Sequence, residues 1–332
     1  MVTRRQFLWT ASGVAGAALG DVFVYVPSSL AQQSDAPQSA AQQPGPNLGA
    51  NRLVTLGTRG GPAIRTGFVP SPSANLLVFD NVPYVIDTGY GVSGKLVESK
   101  FPLPQLRYVF ITHHHSDHNA EFGLLTYNAW AMGLNTPVDA YGPAGMKRLA
   151  QGFWDAYGFD IDTRIADEGR PDLRQLVSIH EYTEGEVLAT EKVKVTALRN
   201  LHPPIKESFA LKFEFPGKTI VFSGDTAYHP PLAQFAKGAD ILVHEAMLVP
   251  AIEFIVRANP NAGTILQHLQ ASHTAVADVG RIATEAGVKT LVLSHFVPAD
   301  APNITDQQWV DGVRETWKGD LVIAKDAMQI LL

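Results

Sequence analysis

The feature that most constrains this chain is a histidine-rich run directly after a strand-like segment. The run holds four histidines and one carboxylate within seven residues, Thr112-His113-His114-His115-Ser116-Asp117-His118. It follows residues 106–111, whose apolar side chains are typical of a buried strand. Imidazoles at this density repel one another when charged and displace apolar volume when neutral, unless a metal ion gathers them. The run therefore predicts a metal site at a strand end; the alternatives are a surface cluster and a chance tract.

Three single residues further along the chain can complete such a site. Each lies where a strand-like run opens into a loop, the usual position for ligands on a rigid scaffold: His202, Asp225 and His295. Taken alone, each is also explained as a capping or turn residue. Together with the histidine-rich run they predict two metal sites that share Asp225 as a bridging ligand. The predicted ligands are His113, His115 and His202 for the first ion, and Asp117, His118 and His295 for the second.

The ligand types narrow the choice of ion. The chain has no cysteine, which excludes a thiol nucleophile and a thiolate ligand. Five imidazoles with carboxylates suit two Zn²⁺ ions, and Mn²⁺ or Fe²⁺ fits the same donors. Two such ions can share a hydroxide that attacks a phosphorus, sulfur or carbonyl centre. Asp87 is predicted either to orient a ligand histidine or to form a plain turn, and His114 to face away from the ions.

The rest of the chain alternates strand-like and helix-like segments. Strands are predicted at 52–56, 75–79, 83–86, 106–111, 176–182, 192–198, 209–215, 219–222, 241–243, 290–293 and 321–323. Helices are predicted at 121–132, 143–157, 274–286 and 306–317. The first strands indicate an antiparallel start. The whole order favours an α/β fold in which two sheets pack face to face with helices outside.

The N-terminal fifty residues have a different character. The pair Arg4-Arg5 precedes a short run of small apolar residues, and a small-x-small site ends at Ala31. This pattern predicts a Tat-type export signal over 1–31 and a periplasmic or secreted protein. A membrane anchor is the weaker alternative, because Asp21 and Pro27 cut the run below the roughly 18–20 apolar residues that span a bilayer. Residues 32–50, rich in Gln, Ala, Pro and Ser, are predicted to be a flexible linker.

The combined motifs resemble the metallo-β-lactamase fold superfamily of metallohydrolases. The resemblance rests on His-x-His-x-Asp-His at 113–118, followed by His, Asp and His at strand ends, and covers nearly all of the chain from Arg52 onward. It implies a hydrolase domain over 51–332 built as a four-layer αββα sandwich of two mixed sheets. Four further motifs are similar to the ribonuclease Z branch: Phe222-Ser223-Gly224-Asp225-Thr226, His244-Glu245-Ala246, Ser272-His273-Thr274 and Leu293-Ser294-His295-Phe296. That branch also includes exported arylsulfatase-like and phosphodiesterase members.

The resemblance also implies three catalytic residues, Asp117, Glu245 and His273. Asp117 is at the same time one of the predicted ligands. His273 and Glu245 form a relay that protonates a leaving oxygen or braces a charged one. The alternative for His273 is a structural role, in which it caps the helix that begins at Thr274.

Nucleic acid is not the expected substrate. The residues just after His118 lack the glycine that ribonuclease Z sequences usually carry there, and the interval from His118 to His202 contains no obvious Gly- and Lys-rich arm for clamping tRNA. The formal net charge of −6 does not attract a polyanion. We expect a small-molecule ester as the substrate, no stable membrane span, and a homodimer as one possible assembly.

The leading functional prediction is an exported dinuclear metallohydrolase that acts on phosphodiesters or aryl sulfate esters. A lactonase or β-lactam-type amidase is the hydrolytic alternative, since the same hydroxide can attack a carbonyl. An iron-dependent oxygenase of the same fold is the alternative from another class. It is disfavoured because the di-iron oxidoreductases of the superfamily usually have Glu where this chain has His115. A non-catalytic metal-binding module is least favoured, since every ligand position is filled.

The walls of the site are harder to predict. Residues 249–270 are rich in apolar side chains and form either a lid over the ions or a packing or dimer surface. A cluster of aromatic residues is predicted to belong to the core rather than to a substrate shelf: Phe153, Trp154, Tyr157 and Phe159. The histidines outside the motifs are predicted to lie at the surface: His180, His229 and His268.

Overall fold

The structure, a computed structural model, describes residues 47–64, 70–257, 261–301 and 303–332. They belong to one compact unit, Gly45–Leu332. The predicted export signal over 1–31 and the predicted linker over 32–50, apart from residues 47–50, lie outside the described residues. Among the residues that are described, no helix is long and apolar enough to cross a membrane.

The described chain contains two seven-stranded sheets. The first sheet consists of β1 (Arg52–Gly57), β2 (Ala74–Phe79), β3 (Val82–Ile86), β4 (Tyr108–Phe110), β5 (Val138–Pro143), β6 (Val177–Tyr182) and β14 (Met328–Leu331). The second consists of β7 (Gly185–Ala189), β8 (Lys194–Arg199), β9 (Phe209–Phe215), β10 (Lys218–Phe222), β11 (Ile241–Met247), β12 (Thr290–Val297) and β13 (Asp320–Ile323). Their spatial orders are β14-β1-β2-β3-β4-β5-β6 and β13-β12-β11-β10-β9-β8-β7.

Helices connect many of these strands. They are α1 (Val92–Glu98), α2 (Ser116–Asn119), α3 (Phe122–Ala131), α4 (Met146–Glu168), α5 (Leu173–Leu176), α6 (Pro231–Phe235), α7 (Ile252–Arg257), α8 (Ala262–Ser272), α9 (Val276–Ala286) and α10 (Asp306–Arg314), with single 3₁₀ turns at Leu103–Gln105 and Val249–Ala251. In the first sheet β1, β2 and β3 pair antiparallel, as predicted, whereas β3, β4, β5 and β6 pair parallel. Parallel neighbours need a crossover connection, which α1, α3 and α4 provide.

The central strands are apolar on both faces because both faces are covered, whereas the edge strands β6 and β7 are partly exposed. All six residues of β1 are buried, and Leu53 lies opposite Leu77 of β2 and Ile330 of β14. One face of each sheet packs on the other sheet, so neither face needs a polar row. The interface between the sheets is rich in aromatic rings. Phe213 of the second sheet meets Phe110 and Tyr84 of the first edge to face, with ring centroids 5.1 and 5.9 Å apart.

Two outer apolar cores complete four layers. Leu76 and Val109 of the first sheet pack with Trp130 of α3. Val221 of the second sheet packs with Val279 of α9 and Trp309 of α10. The layers therefore run helix, sheet, sheet, helix, which confirms the predicted αββα sandwich of two mixed sheets.

Predicted and observed bounds differ most for the second predicted helix. The helix predicted over 143–157 begins at Met146 and extends to Glu168, and Pro143 is the last residue of β5. The sequence pattern did not indicate β5, because it contains Gly142 and Pro143, which are typical of turns; pairing with β4 and β6 forms this strand regardless. The predicted segment 321–323 is β13, but the chain continues to β14, which pairs with β1.

The aromatic cluster on α4 divides between core and surface: Trp154 packs against the core of the first sheet, as predicted, whereas Tyr157 and Phe159 are exposed, contrary to prediction. Phe159 is 88% exposed and Tyr157 is 37% exposed, while Phe153 and Trp154 are half-buried. Phe153 stacks on Tyr157 with ring centroids 4.3 Å apart. The outer layer is a single helix deep, so much of a 23-residue α4 faces solvent.

Candidate metal centre

The fold brings the ends of six strands to one edge of the sandwich. β3 and β4 run parallel in the first sheet, and β8, β10, β11 and β12 share one direction in the second. Side chains at or just beyond these ends meet in space. They include all seven predicted ligands: His113 and His115 after β4, Asp117 and His118 in α2, His202 after β8, Asp225 after β10, and His295 in β12.

The first group consists of three histidines and one carboxylate. Nε2 of His113 lies 3.0 Å from Nδ1 of His115, and Nε2 of His202 lies 3.1 Å from the same atom. Oδ2 of Asp225 is 3.8 Å from Nε2 of His113. Ligand atoms bonded to one tetrahedral ion at about 2.0–2.1 Å are separated by about 3.3 Å. The four atoms therefore have the spacing of a single coordination shell.

The second group shares Asp225 with the first. Nε2 of His118 lies 3.2 Å from Nε2 of His295, and Oδ2 of Asp117 lies 3.4 Å from Nε2 of His295. Oδ2 of Asp225 is 3.3 Å from Nε2 of His118 and 3.2 Å from Nε2 of His295. The structure thus places Asp225 between the two groups, where the sequence analysis expected a bridging carboxylate.

Hydrogen bonds on the far side of the imidazoles set their orientation. Nδ1 of His118 lies 2.7 Å from Oδ2 of Asp87, and Nδ1 of His202 lies 2.9 Å from the carbonyl oxygen of Ser272. Since these acceptors require a proton on Nδ1, both Nε2 atoms keep a lone pair for an ion. Asp87 also accepts a hydrogen bond from the Thr112 backbone N–H at 2.8 Å, so it fixes both the loop and the ligand.

His114 lies outside the cluster, in agreement with the prediction. Its Nε2 is 3.3 Å from the carbonyl oxygen of Pro143, and its Nδ1 is 3.0 Å from Nδ2 of Asn119. The extended backbone between His113 and His115 turns the middle side chain to the opposite side.

The electrostatics of the cluster fit divalent cations. Burial and the neighbouring His118 lower the pKa of His113 well below its usual 6.5, so its imidazole stays neutral. Burial also disfavours charge on His118, but Asp225 and Asp87 raise the pKa of that imidazole well above 6.5. Oδ1 of Asp225 and Nδ1 of His295 are buried without a hydrogen-bond partner among the described residues. A donor set of imidazole nitrogens and carboxylate oxygens, with no thiolate, suits Zn²⁺, Mn²⁺ or Fe²⁺, which replace the proton on His118 when they bind.

Glu245 and His273 form a buried pair beside the second group. Nδ1 of His273 lies 3.0 Å from Oε2 of Glu245, whose Oε1 accepts hydrogen bonds from the backbone N–H groups of Thr226 at 3.0 Å and Thr274 at 3.3 Å. Burial by itself lowers the pKa of His273, but the Glu245 carboxylate raises it, to about 9. His273 does not cap the helix that follows it, because Ala275 is the N-cap of α9; it is the C-cap residue of α8, and its side chain bonds to Glu245.

A cavity of about 540 Å³ opens beside these residues. It is lined by Arg59, Gly60, Gly61, Pro62, Ala63, His115, Ser116, Asp117, Asp225, Ile255, Ile265, His268, Leu269, His273, Val297, Pro298 and Asp300. Ile255, Ile265 and Leu269 come from the segment 249–270, so that segment forms one wall of the cavity. Leu269 also packs with Met247, Ile252 and Val297. Residues 258–260 of the segment lie outside the described residues.

His268 is the histidine that the sequence analysis misplaced. The expected surface position is wrong, because His268 is half-buried and lines the cavity. Its ring centroid lies 6.1 Å from those of His115 and His202. His180, in contrast, is exposed as predicted and lies 2.9 Å from Asp139.

The loop after β1 contributes a part of the site that was not predicted. The Gly61 backbone N–H donates to Oδ2 of Asp117 at 2.7 Å. A Cβ on Gly60 would lie 2.7 Å from Val297 and 2.8 Å from the His295 ring, so only glycine fits. The available signal was the pair of adjacent glycines three residues after the end of β1, which sequence patterns alone assign to a turn.

Comparison with known proteins agrees with this geometry. A family described as Beta-lactamase superfamily domain matches residues 84–296, more than half of the chain. A ribonuclease Z from Mycobacterium bovis (strain BCG / Pasteur 1173P2) is 28% identical over 250 residues, which cover 74% of this chain and 87% of that protein.

Two solved structures share the fold. The metallo-beta-lactamase fold protein YhfI from Bacillus subtilis superposes with a TM-score of 0.61 at 21% identity, over 85% of this chain and 99% of that one. The short form of human tRNase Z superposes with a TM-score of 0.60 at 20% identity, over 84% of this chain and 98% of that one. At these identities the likeness concerns the fold alone.

These comparisons confirm the predicted superfamily, and the name of the mycobacterial relative agrees with the resemblance to the ribonuclease Z branch. The expectation that nucleic acid is not the substrate gains no support from that name and stays a prediction. With a family match across most of its folded part and clustered His and Asp side chains at the sandwich edge, the chain belongs to the beta-lactamase superfamily as a metal-dependent hydrolase.

Proposed function

We propose that this protein is an exported hydrolase that uses two divalent ions, preferably Zn²⁺, to cleave small phosphodiesters. The observation that carries the proposal is the convergence of seven candidate ligand side chains, three of which, His115, Asp117 and Asp225, line a cavity of about 540 Å³. Cavities of roughly 300–1,000 Å³ hold drug-sized molecules. When a substrate of that size fills the cavity, one of its ester bonds lies beside the ligand cluster.

The residues have a natural division of labour. One ion would be held by His113, His115 and His202. The other would be held by Asp117, His118 and His295, and Asp225 would bind both. When bound, such ions supply an activated water and neutralise charge on the ester oxygens. Gly61 fixes the Asp117 carboxylate through its backbone N–H, and Asp87 fixes the His118 ring.

We assign to His273 the role of the acid that protonates the leaving alcohol. It lines the cavity, and Glu245 keeps it protonated at neutral pH by raising its pKa to about 9, against the effect of burial. A protonated imidazole can donate to the oxygen of a poor leaving group as the bond breaks. Glu245 cannot turn away, because Thr226 and Thr274 bind its other oxygen.

A phosphodiester is preferred to the other esters for two reasons. The relative named ribonuclease Z belongs to a class that cuts phosphodiester bonds, and a built-in proton donor serves a poor leaving group better than an activated one. Aryl sulfates, lactones and β-lactams remain alternatives for the same centre. The presence of His115 in the first motif remains the argument against an oxygenase.

RNA is the second candidate, and the names of the relatives favour it. Two features favour a small substrate instead. The interval between His118 and His202 is used by α3, α4, α5 and strands β5 to β8, all parts of the sandwich. The net charge of −6 offers no general attraction for a polyanion. Export is supported by the twin-arginine pattern of the sequence.

Elemental analysis combined with a substrate panel tests the proposal. Purified protein is expected to contain zinc and to hydrolyse bis(4-nitrophenyl) phosphate faster than an aryl sulfate, a homoserine lactone or nitrocefin. A short RNA with a 3′ extension is included as the competing substrate. Preferred cleavage of the RNA would reverse the choice between the two candidates. Bound iron without hydrolysis of any ester would overturn the hydrolase proposal.

A further inference from the structure

One face of α8 points into the cavity. Ile265, His268 and Leu269 all line it, and they are spaced three and four residues apart, which places them on the same side of the helix. Leu269 is buried, and Ile265 and His268 are half-buried. The helix therefore presents two aliphatic side chains and one imidazole to any molecule that occupies the cavity.

The apolar part of this wall is continuous and firmly packed. Ile255 of α7, Val297 of β12 and the following Pro298 extend it on the same cavity. Behind it, Leu269 packs with Met247, Ile252 and Val297. The wall rests on strands β11 and β12, the same strands that carry Glu245 and His295. Its distance from the ligand cluster is therefore set by the sheet.

The wall beside the ligand cluster is polar. Asp117, Asp225, His115 and His273 line the cavity from the side of the ligand cluster. A molecule bound here has its hydrolysed bond at this polar side. The group attached on the other side of the bond then lies along Ile265 and Leu269, where an apolar group gains from leaving water and a charged group does not.

His268 stands where these two walls meet. Its ring centroid is 6.1 Å from those of His115 and His202 and 6.0 Å from that of His273. Its Nδ1 lies 3.3 Å from Oγ of Ser272, one turn further along α8. Oγ of Ser272 donates to the carbonyl oxygen of Pro203 at 2.6 Å and therefore accepts from Nδ1 of His268, which fixes the ring with its proton on Nδ1. Among the described residues His268 belongs to none of the metal-binding groups.

We propose that the α8 face formed by Ile265, His268 and Leu269 binds the substrate and selects phosphodiesters whose second ester group is apolar and the size of an aromatic ring. Ile265 and Leu269 contact that group, and the His268 ring packs against the same group where the two walls meet. This inference rests on the proposed phosphodiesterase function and narrows it to one class of substrate.

Two matched substrates test the apolar contact. Bis(4-nitrophenyl) phosphate and methyl 4-nitrophenyl phosphate release the same leaving group and carry the same charge; they differ in whether the second ester group is aryl or methyl. Ile265→Asp is expected to lower the aryl-to-methyl ratio of kcat/KM about tenfold relative to the wild type, with Ile265→Ala in between. An unchanged ratio in both variants would overturn the selection by α8. If the Asp variant fails to fold, the Ala variant decides.

The role of His268 is tested by the division between KM and kcat. His268→Ala is expected to raise KM for the diaryl diester about tenfold, more than KM for the methyl diester, and to leave kcat within about threefold, with His268→Phe, which keeps a planar ring, recovering part of the loss. His180→Ala is the matched control, because His180 is exposed and far from the cavity lining. Unchanged KM values, or loss of metal from the Ala variant, would refute the substrate contact.

A binding measurement separates this inference from the proposed function. Calorimetry compares phenyl phosphate with methyl phosphate on the metal-loaded protein. Tighter binding of phenyl phosphate that disappears in Ile265→Asp supports the α8 wall, even if the wild type cleaves neither diester and the phosphodiesterase proposal fails. Equal binding of the two phosphates to the wild type overturns the inference, even if both diesters are cleaved.

Discussion

Asp87 and His118 form a buried carboxylate–imidazole pair, with Oδ2 2.7 Å from Nδ1, in which the histidine is a candidate ligand and the aspartate is not. A partner of this kind fixes the ring and makes its other nitrogen more basic. We expect Asp87→Asn to weaken metal affinity about 10–100-fold, measured by competition with a chromophoric chelator.

A second carboxylate–imidazole pair provides the control. Asp139 lies 2.9 Å from Nε2 of His180, away from the cavity. Asp139→Asn is expected to retain wild-type metal affinity. Equal weakening in both variants would mean that Asp87 acts through general stability rather than through the His118 ring.

The shared position of Asp225 predicts an unequal loss of ions. Asp225→Asn is expected to lose both ions, because its Oδ2 lies between the two groups, whereas His202→Ala is expected to lose mainly one. Elemental analysis of the purified variants measures the metal-to-protein ratio. His114→Ala is the control within the same histidine-rich run and is expected to keep both, since its ring faces Pro143 and Asn119. Full metal content in His113→Ala combined with His115→Ala would contradict the assignment of the first group.

Metal removal is expected to lower stability, and more so at high pH. Binding at about 100 times Kd adds about 2.7 kcal/mol to the free energy of unfolding. In the metal-free protein burial by itself lowers the pKa of His118, but the carboxylates of Asp225 and Asp87 raise it well above 6.5. A histidine whose pKa is higher in the folded state than in the unfolded state stabilises the fold. This contribution is complete below the unfolded-state pKa and is lost as the pH rises through the folded-state pKa. Calorimetric Tm values with and without chelator should therefore diverge from pH 6.5 towards pH 9; a constant difference would contradict this.

The Glu245–His273 pair predicts a dependence on the leaving group. His273→Ala is expected to slow dialkyl phosphodiesters, which must expel an alkoxide, about 100-fold, but 4-nitrophenyl esters far less, because an activated phenolate leaves without a proton. Glu245→Gln keeps an oxygen for Thr226 and Thr274 and is expected to show the same pattern more weakly. Equal slowing of both substrate types would indicate a binding or structural role.

Gly60 predicts a steric effect at the second ligand group. In Gly60→Ala the new Cβ would lie 2.7 Å from Val297 and 2.8 Å from the His295 ring, so we expect His295 to shift and metal content to fall. Gly94→Ala is the control, since a Cβ there meets nothing within 4 Å and Ala favours its helix. Unaltered metal content in Gly60→Ala would show that the loop after β1 yields without moving the ligand.

The convergence of the seven side chains could be predicted because their types and positions carry independent information. His, Asp and His at the ends of buried strands have few other uses, and parallel strands bring their carboxyl ends to one sheet edge. His295 shows the limit of that argument. It lies within β12 rather than at its end, at a break in register with β11, and its φ of 45° turns the side chain toward the cluster. A strand pattern does not encode such a bulge.

His268 and Gly60 could not be assigned for a different reason. The spacing of Ile265, His268 and Leu269 is compatible with a helix face. Whether that face lines a cavity or packs against the protein depends on how the helix lies on the sheet beneath it. Gly60 is required by Val297 and the His295 ring, residues more than 200 positions away in the chain. Contacts of this kind follow from tertiary packing and leave no local pattern.

The bond from His202 to the carbonyl oxygen of Ser272 ties a ligand to the last turn of α8. Any insertion, deletion or change of pitch in this helix would move that acceptor and with it the imidazole. The substrate preference of this protein therefore has to be changed by exchanging side chains on an intact helix. Grafting a helix of another length would displace His202 and remove the ion that it binds.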